Sequence, residues 1–237
     1  GYSNKYECTH HILKKYSHKA VFFITSDLVQ KNKILWVDKL LMYFSYLKDG
    51  EYQIMDQKFI IDSEGRARAY NKAYLFILSN YHLKDKFMNQ LNKNIVFSEI
   101  NRELYKLRFN ALEIQHIEEM KSYGHLIACH STAHDILSQL TTAELGKELN
   151  DCEKLLESIY NCDYFSYPFG SDLEVSQQVI NRLKSSKFKY GFKNQWSLHP
   201  NEDNYQIQRM ALPNTQNKYL IHAYLSGTYY FLKRIFD

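Results

Sequence analysis

The sequence predicts an α/β fold organised around a barrel-like parallel sheet. Two observations carry this. Short, nearly unbroken apolar runs at 20–24 and 126–129, with further runs at 164–167 and 190–192, have the length and composition of strands buried on both faces. The segments between them place apolar residues at helical spacing, the alternation from which parallel sheets are made. The 237 residues are 45% hydrophobic and 24% charged, enough for a substantial core and incompatible with intrinsic disorder. No repeat or low-complexity linker divides the chain, so residues 1–237 read as a single domain.

In chain order, residues 4–16 carry Tyr6, Ile12, Leu13 and Tyr16 on one side of a helix. The strand at 20–24 follows. A helix over 33–47 then places Trp36, Leu40, Leu41 and Phe44 on one face and ends at the turn signal Asp49-Gly50. Residues 51–62 read as a hairpin turning at Asp56-Gln57, closed by Ser63-Glu64-Gly65. The stretch 66–110 is helix-dense, lysine-rich and aromatic. A helix over 111–123 ends at Gly124, a residue suited to the left-handed C-terminal position, and delivers the strand 126–129. Thr141-Thr142-Ala143-Glu144 is a capping box that opens a helix to about residue 160. A strand at 164–167, a helix at 175–185, a strand at 190–192 and a terminal helix over 218–236 complete the chain.

Composition excludes several function classes. Thirty Lys+Arg against 26 Asp+Glu leave +4, with no basic cluster, which argues against nucleic acid as a partner. No apolar run approaches the ~20 residues of a transmembrane helix, and nothing reads as a signal peptide. Four cysteines without Cys-x-x-Cys spacing point to free thiols in a reducing, cytoplasmic setting. The chain opens Gly1-Tyr2 rather than with Met, so an upstream segment is expected, and with it export or anchoring stays open. The oligomeric state is also open.

Two local motifs carry chemistry. His130-Ser131-Thr132-Ala133-His134 directly follows the strand 126–129, and two imidazoles four residues apart can share one divalent metal. Ten histidines yield about 0.4 such pairs by chance, so spacing leaves a polar loop with two unrelated histidines open. Position favours the metal, because functional groups gather at the C-terminal ends of parallel strands. Tyr167-Pro168-Phe169-Gly170 closes another strand, where proline fixes the backbone and glycine releases it. Alone, it is also compatible with an ordinary strand-to-helix turn. Trp36 and the Tyr/Phe-rich stretch 69–81 suit either sugar stacking or core packing, and helical spacing favours the core. Cys129 alternates away from His130 and reads as a buried thiol.

Taken in order, these pieces resemble the polysaccharide deacetylase family, the NodB-homology domains. Gly1-Tyr2, the helix ending Ile12-Leu13-Lys14-Lys15-Tyr16 and Lys19–Ile24 look like that family's opening after its Asp-Asp-Gly-Tyr motif. Met120–Gly124, Leu126–His130 and His134 are similar to its second motif, and Tyr167-Pro168-Phe169-Gly170 to its third. The resemblance implies a distorted (β/α) barrel with a helical and hairpin insertion at about 33–110. Two aspartates of the first motif would immediately precede Gly1 and are not in this sequence, so an upstream segment carrying them, and the missing first strand, is expected. Ser166 stands where the third motif often has arginine, and Arg209 is a candidate replacement or a surface residue. Leu220-Ile221-His222 fits the letters of the last motif, whose histidine is read as general acid, but lies in an amphipathic helix.

The implied reaction is hydrolysis of the N-acetyl group of a sugar in a polysaccharide, glycolipid or lipid-linked saccharide. His130 and His134 would be two neutral ligands to one divalent metal, with zinc best suited and cobalt or manganese as substitutes. The Phe169 backbone N–H is the candidate oxyanion donor, and Tyr167 and Pro168 are candidates for substrate contact. The alternative is a catalytically silent glycan-binding or protein-interaction module of the same fold, motivated by the absent aspartates.

Overall fold

The computed structural model describes residues 1–96, 108–195, 202–229 and 231–232. Five strands form one all-parallel sheet in the order β1 (Val21–Ile24), β4 (Leu126–Cys129), β5 (Tyr164–Ser166), β6 (Tyr190–Lys193) and β7 (Ile207–Gln208). Strands β2 (Gly50–Ile54) and β3 (Gln57–Ile61) form the expected hairpin apart from it. The fold is thus α/β with a parallel centre. Among the described residues β1 and β7 are the sheet's two ends and do not pair, so the barrel is open.

Helices follow from capping and apolar spacing. Helix α1 (His11–Lys15) precedes β1, and between the sheet strands run α2 (Ser26–Lys31), α3 (Trp36–Tyr46), α4 (Arg66–Ser79), α5 (Lys84–Asn92) and α6 (Ile114–Ser122), then α7 (Thr142–Glu153) and α8 (Gln177–Lys184). At α7, Thr141 Oγ1 accepts from the Glu144 N–H at 3.3 Å and the Glu144 carboxylate accepts from the Thr141 N–H at 2.9 Å. That reciprocal cap is worth about 1 kcal/mol, and it starts a helix whose Leu145, Leu149 and Cys152 are buried. At α8 the Ser176 hydroxyl accepts from the Val179 N–H at 3.4 Å, and Val179, Ile180 and Leu183 bury one face.

The buried residues fall into two clusters. One underlies the sheet and includes Ile24, Ile127, Leu149, Phe165 and Leu183. The other belongs to the insertion, where Leu40, Phe44, Phe59, Ala73, Ile77 and Phe87 pack together. The insertion therefore carries its own apolar centre, and Ile136, just beyond the second histidine, belongs to it.

Several boundaries differ from the sequence reading. Strand β1 is not buried on both faces, since Val21 is exposed while Phe22 and Ile24 are buried. Helix α6 starts at Ile114, because Ala111 instead bridges to Tyr2. Helix α7 stops at Glu153 rather than near 160; Glu157 turns left-handed at φ 75°, and Ile159 and Tyr160 turn inward. That reversal lets Asn161 cap β4, its Oδ1 accepting from the Ile127 N–H at 2.7 Å and its Nδ2 donating to the His125 carbonyl. The terminal helix α9 covers Lys218–Leu225 and breaks at Gly227, where φ is 77°. The expected helix ends at 233–236, and the 97–107 part of the helix-dense stretch, lie outside the described residues.

Candidate active site

The C-terminal ends of the parallel strands converge on the loop 130–136. The sheet ladder runs on past β1 and β4: the His130 N–H donates to the Ile24 carbonyl at 2.9 Å and the Asp27 N–H to the Thr132 carbonyl at 2.9 Å. Thr25 Oγ1 donates to the His130 carbonyl, fixing the first histidine against β1. The two imidazoles then stand 4.9 Å apart, ring to ring, at 80°. The pair read from spacing is a spatial pair.

The hydrogen bonds define which nitrogens are used. His130 Nδ1 lies 2.7 Å from the Ser166 carbonyl of β5. A carbonyl only accepts, so Nδ1 carries the hydrogen and Nε2 presents a lone pair. Neither ring's Nε2 has a hydrogen-bond partner among the described residues, and His134 Nδ1 is buried without one. Burial, reinforced by the adjacent His134, holds His130 down at about 3; burial holds His134 down at about 4. Both rings are neutral at physiological pH. Two neutral rings with unspent nitrogens fit metal ligation. Among the described residues no third His, Cys, Asp or Glu completes a metal-binding group with them.

The backbones of this loop and of the loop 167–170 are held in conformations that side chains rarely adopt. Ser131, His134 and Phe169 have φ of 65°, 60° and 60°. Each such residue costs of order 1–3 kcal/mol, so surrounding contacts must over-determine it. From the sheet side, Glu148 of α7 accepts from both the N–H and the hydroxyl of Thr132. Burial raises the Glu148 carboxyl above the usual range, opposed by those hydrogen bonds. From the insertion side, Trp36 Nε1 donates to the His134 carbonyl at 3.1 Å, and the Ile136 N–H donates to Tyr81 Oη at 3.2 Å. Lys84 Nζ and the Tyr81 hydroxyl both bond Asp135. Within the loop, Ser131 Oγ accepts from the His134 N–H at 2.9 Å.

The loop 167–170 packs directly on the pair: the Phe169 ring lies 5.0 Å from His134. Its backbone N–H makes no hydrogen bond among the described residues, which leaves it available as an oxyanion donor. Gly170 next to it has φ 78°, and a Cβ there would stand 2.6 Å from the Asn194 nitrogen, so only glycine fits. Tyr167 and Pro168, the candidates for substrate contact, lie inside the fold. Both side chains are buried, and the Tyr167 hydroxyl donates to the Tyr205 carbonyl at 2.8 Å. It reaches there by passing Gly191, where a Cβ would meet it at 2.5 Å. The strand ends at Ser166 and the chain turns left-handed at Phe169, φ 60°, so Phe169 and not the buried Tyr167 lies against the pair.

Arg209 follows β7, its guanidinium 5.2 Å over the Phe23 ring and its Nε donating to the Lys193 carbonyl. Its charge disfavours protonation of His130, placing it at the same sheet edge, and burial lowers its own pKa. His222 is exposed on α9, and no hydrogen bond or ring contact joins its side chain to the pair among the described residues. Glu148, Asp135 and Thr25 were missed by sequence reasoning. Glu148 falls on the loop-facing side of α7 four residues after the capping Glu144, which was the only available signal.

The comparisons with known proteins agree with this geometry. The profile of the family described as Polysaccharide deacetylase matches residues 1–191. The chain belongs to the polysaccharide deacetylase family. No curated protein matches it in sequence. Among solved structures, it is similar to the Streptococcus pyogenes deacetylase PplD in complex with acetate, at 15% identity and a TM-score of 0.54 over 93% of this chain and 65% of that one. It is also similar to IcaB from Ammonifex degensii, at 12% identity and a TM-score of 0.50 over 94% of this chain and 66% of that one. The chain thus spans just under two thirds of the length of either protein, and at these identities the likeness concerns the fold.

Proposed function

We propose that this chain hydrolyses the N-acetyl group of an N-acetylated sugar in a glycan, using one divalent metal held in part by His130 and His134. The observation that carries the reading is a pair of neutral imidazoles with unspent nitrogens beside an unspent backbone N–H, at the strand ends of a family deacetylase fold. A divalent metal, zinc by this nitrogen donor set with cobalt or manganese as substitutes, would supply Lewis acidity and a bound water of lowered pKa.

The chain's own residues do the positioning. The Ser166 carbonyl fixes the His130 tautomer so that Nε2 keeps its lone pair, as carbonyls bonded to metal-binding histidines do. The Phe169 N–H would donate to the oxygen on which charge develops when the amide carbonyl is attacked. Arg209 adds positive charge at the same edge, favouring an anionic intermediate and acetate product.

One observation favours a second reading, a silent glycan- or protein-binding module: no carboxylate among the described residues joins the histidine pair. Acetate release decides between them. The intact protein is expected to free acetate from N-acetylglucosamine oligomers, to stop on chelation and to resume with added zinc. Absence of acetate in the intact, metal-supplied protein would favour the binding module.

A further inference from the structure

The turn that presents the Phe169 N–H is strained. The Gly170 N–H donates to the Pro168 carbonyl at 2.6 Å, closing a three-residue turn about Phe169, whose φ is 60°. Such a turn with its central residue at positive φ is rare and unfavourable, so neighbouring contacts must enforce it. Just beyond it, the Glu174 carboxylate accepts from the Ser171 N–H at 2.9 Å and from the Ser171 hydroxyl. Those bonds shape residues 171–174, but they are internal and do not set where the turn stands relative to the histidines.

The end of β6 sets it. The Tyr167 N–H donates to the Phe192 carbonyl at 3.1 Å and the Asn194 N–H to the Gly170 carbonyl at 2.9 Å, one on each side of the turn. Between these two bonds stands Lys193, the last residue of β6. Its side chain is only 10% exposed, and its Nζ donates to Asp172 Oδ1. Asp172 is itself 65% exposed, and the bond from Lys193, with Gln195 adding to it, holds its carboxyl below the usual range. Lysine is rarely this buried unless it is paired. The same residue also holds Arg209, its carbonyl accepting from the Arg209 N–H at 3.1 Å and from Arg209 Nε at 3.2 Å. The two polar ends of Lys193 thus reach both groups that would meet developing negative charge.

We infer that Lys193 is a positioning residue for the reaction: its ammonium latches the loop 167–172 through Asp172 while its carbonyl seats Arg209, so that the Phe169 N–H and the guanidinium keep one fixed spacing. The inference rests on the deacetylase reading for what those two groups do. No hydrogen bond joins Lys193 to either histidine among the described residues, so its effect falls on the step in which charge develops rather than on metal binding.

The test compares Lys193→Met and Asp172→Ala with wild type in the intact, zinc-loaded protein, by steady-state acetate release, zinc retention and amide hydrogen exchange of the loop. Methionine keeps the apolar stem and removes the charge, and the exposed Asp172 stays solvated without its partner. Each variant should lower kcat about 10- to 100-fold, the scale of a small misplacement of a reacting group, with KM and zinc retention unchanged. Exchange in 167–172 should rise. The double variant should be no slower than the slower single variant, because both remove the same contact. Lys193→Arg should recover most of the loss. Either single variant gives the reading if the other does not fold. Turnover per folded molecule unchanged in both, or zinc retention falling together with kcat, overturns the inference. Wild-type acetate release with loop exchange and turnover unaltered in the variants overturns the latch and leaves the deacetylase reading intact. Raised loop exchange in the variants, with no acetate from the wild type, leaves the latch and overturns that reading.

Discussion

Two histidine pairs occupy opposite ends of the sheet, and the use of their ring nitrogens sets them apart. His130 and His134 stand beyond the C-terminal ends of the strands. His10 and His125 stand near the other end, both fully buried, with His125 immediately before β4. There the Ala20 N–H donates to His125 Nδ1 at 3.2 Å, so Nε2 carries the hydrogen and faces His10 Nδ1 at 3.1 Å. His10 is then protonated on Nε2, 3.6 Å from Glu119 Oε1, which also takes Lys14, while Glu119 Oε2 takes the Tyr6 hydroxyl. Burial lowers the pKa of both pairs. Among the described residues, one pair spends three of its four ring nitrogens on hydrogen bonds to its neighbours and leaves only His10 Nε2 without one; the other spends only His130 Nδ1. Burial and a lowered pKa do not by themselves mark a site. Unspent lone pairs at the right end of the sheet do.

Exchanging the two pairs for alanine should separate the roles most widely. His134→Ala in the intact protein is expected to cut acetate release by ~10³-fold or more while moving stability by less than about 1 kcal/mol. His125→Ala should cost about 2–4 kcal/mol in urea unfolding, since it opens a buried cavity and strands the Ala20 N–H. The same variant should leave turnover per folded molecule near wild type. Equal activity losses from both would erase the distinction.

The loop's two-sided support gives an intermediate effect. Glu148→Ala removes the acceptor of both Thr132 bonds and should weaken zinc binding about 10- to 100-fold, with a stability loss of about 1–3 kcal/mol. Glu148→Gln keeps one acceptor and should recover most of the affinity. Unchanged zinc affinity in the alanine variant would mean that the insertion-side bonds from Trp36, Tyr81 and Lys84 hold the loop alone.

The smallest effect is the pH dependence of the structural pair. Their folded pKa values lie below the unfolded value of 6.5, so above that pH both states are neutral and the pair's contribution is constant. As pH falls below 6.5 the unfolded chain takes up protons that the folded one refuses, and stability declines toward the folded pKa values. The slope is at most about 1.4 kcal/mol per pH unit for each such proton. Between pH 7 and 5, His125→Phe should flatten the decline measured by chemical denaturation, and an unaltered slope would show that His125 does not contribute.

What was legible in the sequence was local. The strand at 126–129, the Thr141 cap, the His-x-x-x-His spacing and the Pro-Phe-Gly loop are read from neighbours within a few residues, and each stands where expected. The burial of Tyr167 was not legible because a motif names residues without saying which of its side chains enter the core. The His10–His125 contact joins residues 115 apart, and no periodicity reports such a distance. The early end of α7 was equally hidden: no Gly or Pro marks Glu153, and the helix stops because Ile159, Tyr160 and Asn161 are needed against β4.

Metal content tests the central claim most directly. The intact protein, loaded with zinc and freed of excess by gel filtration, is expected to retain about one ion per chain. His10→Ala and His125→Ala should retain it in proportion to the folded fraction, whereas His130→Ala and His134→Ala should lose it. Equal zinc in wild type and in the His130 and His134 variants would contradict the account and move any metal to other residues.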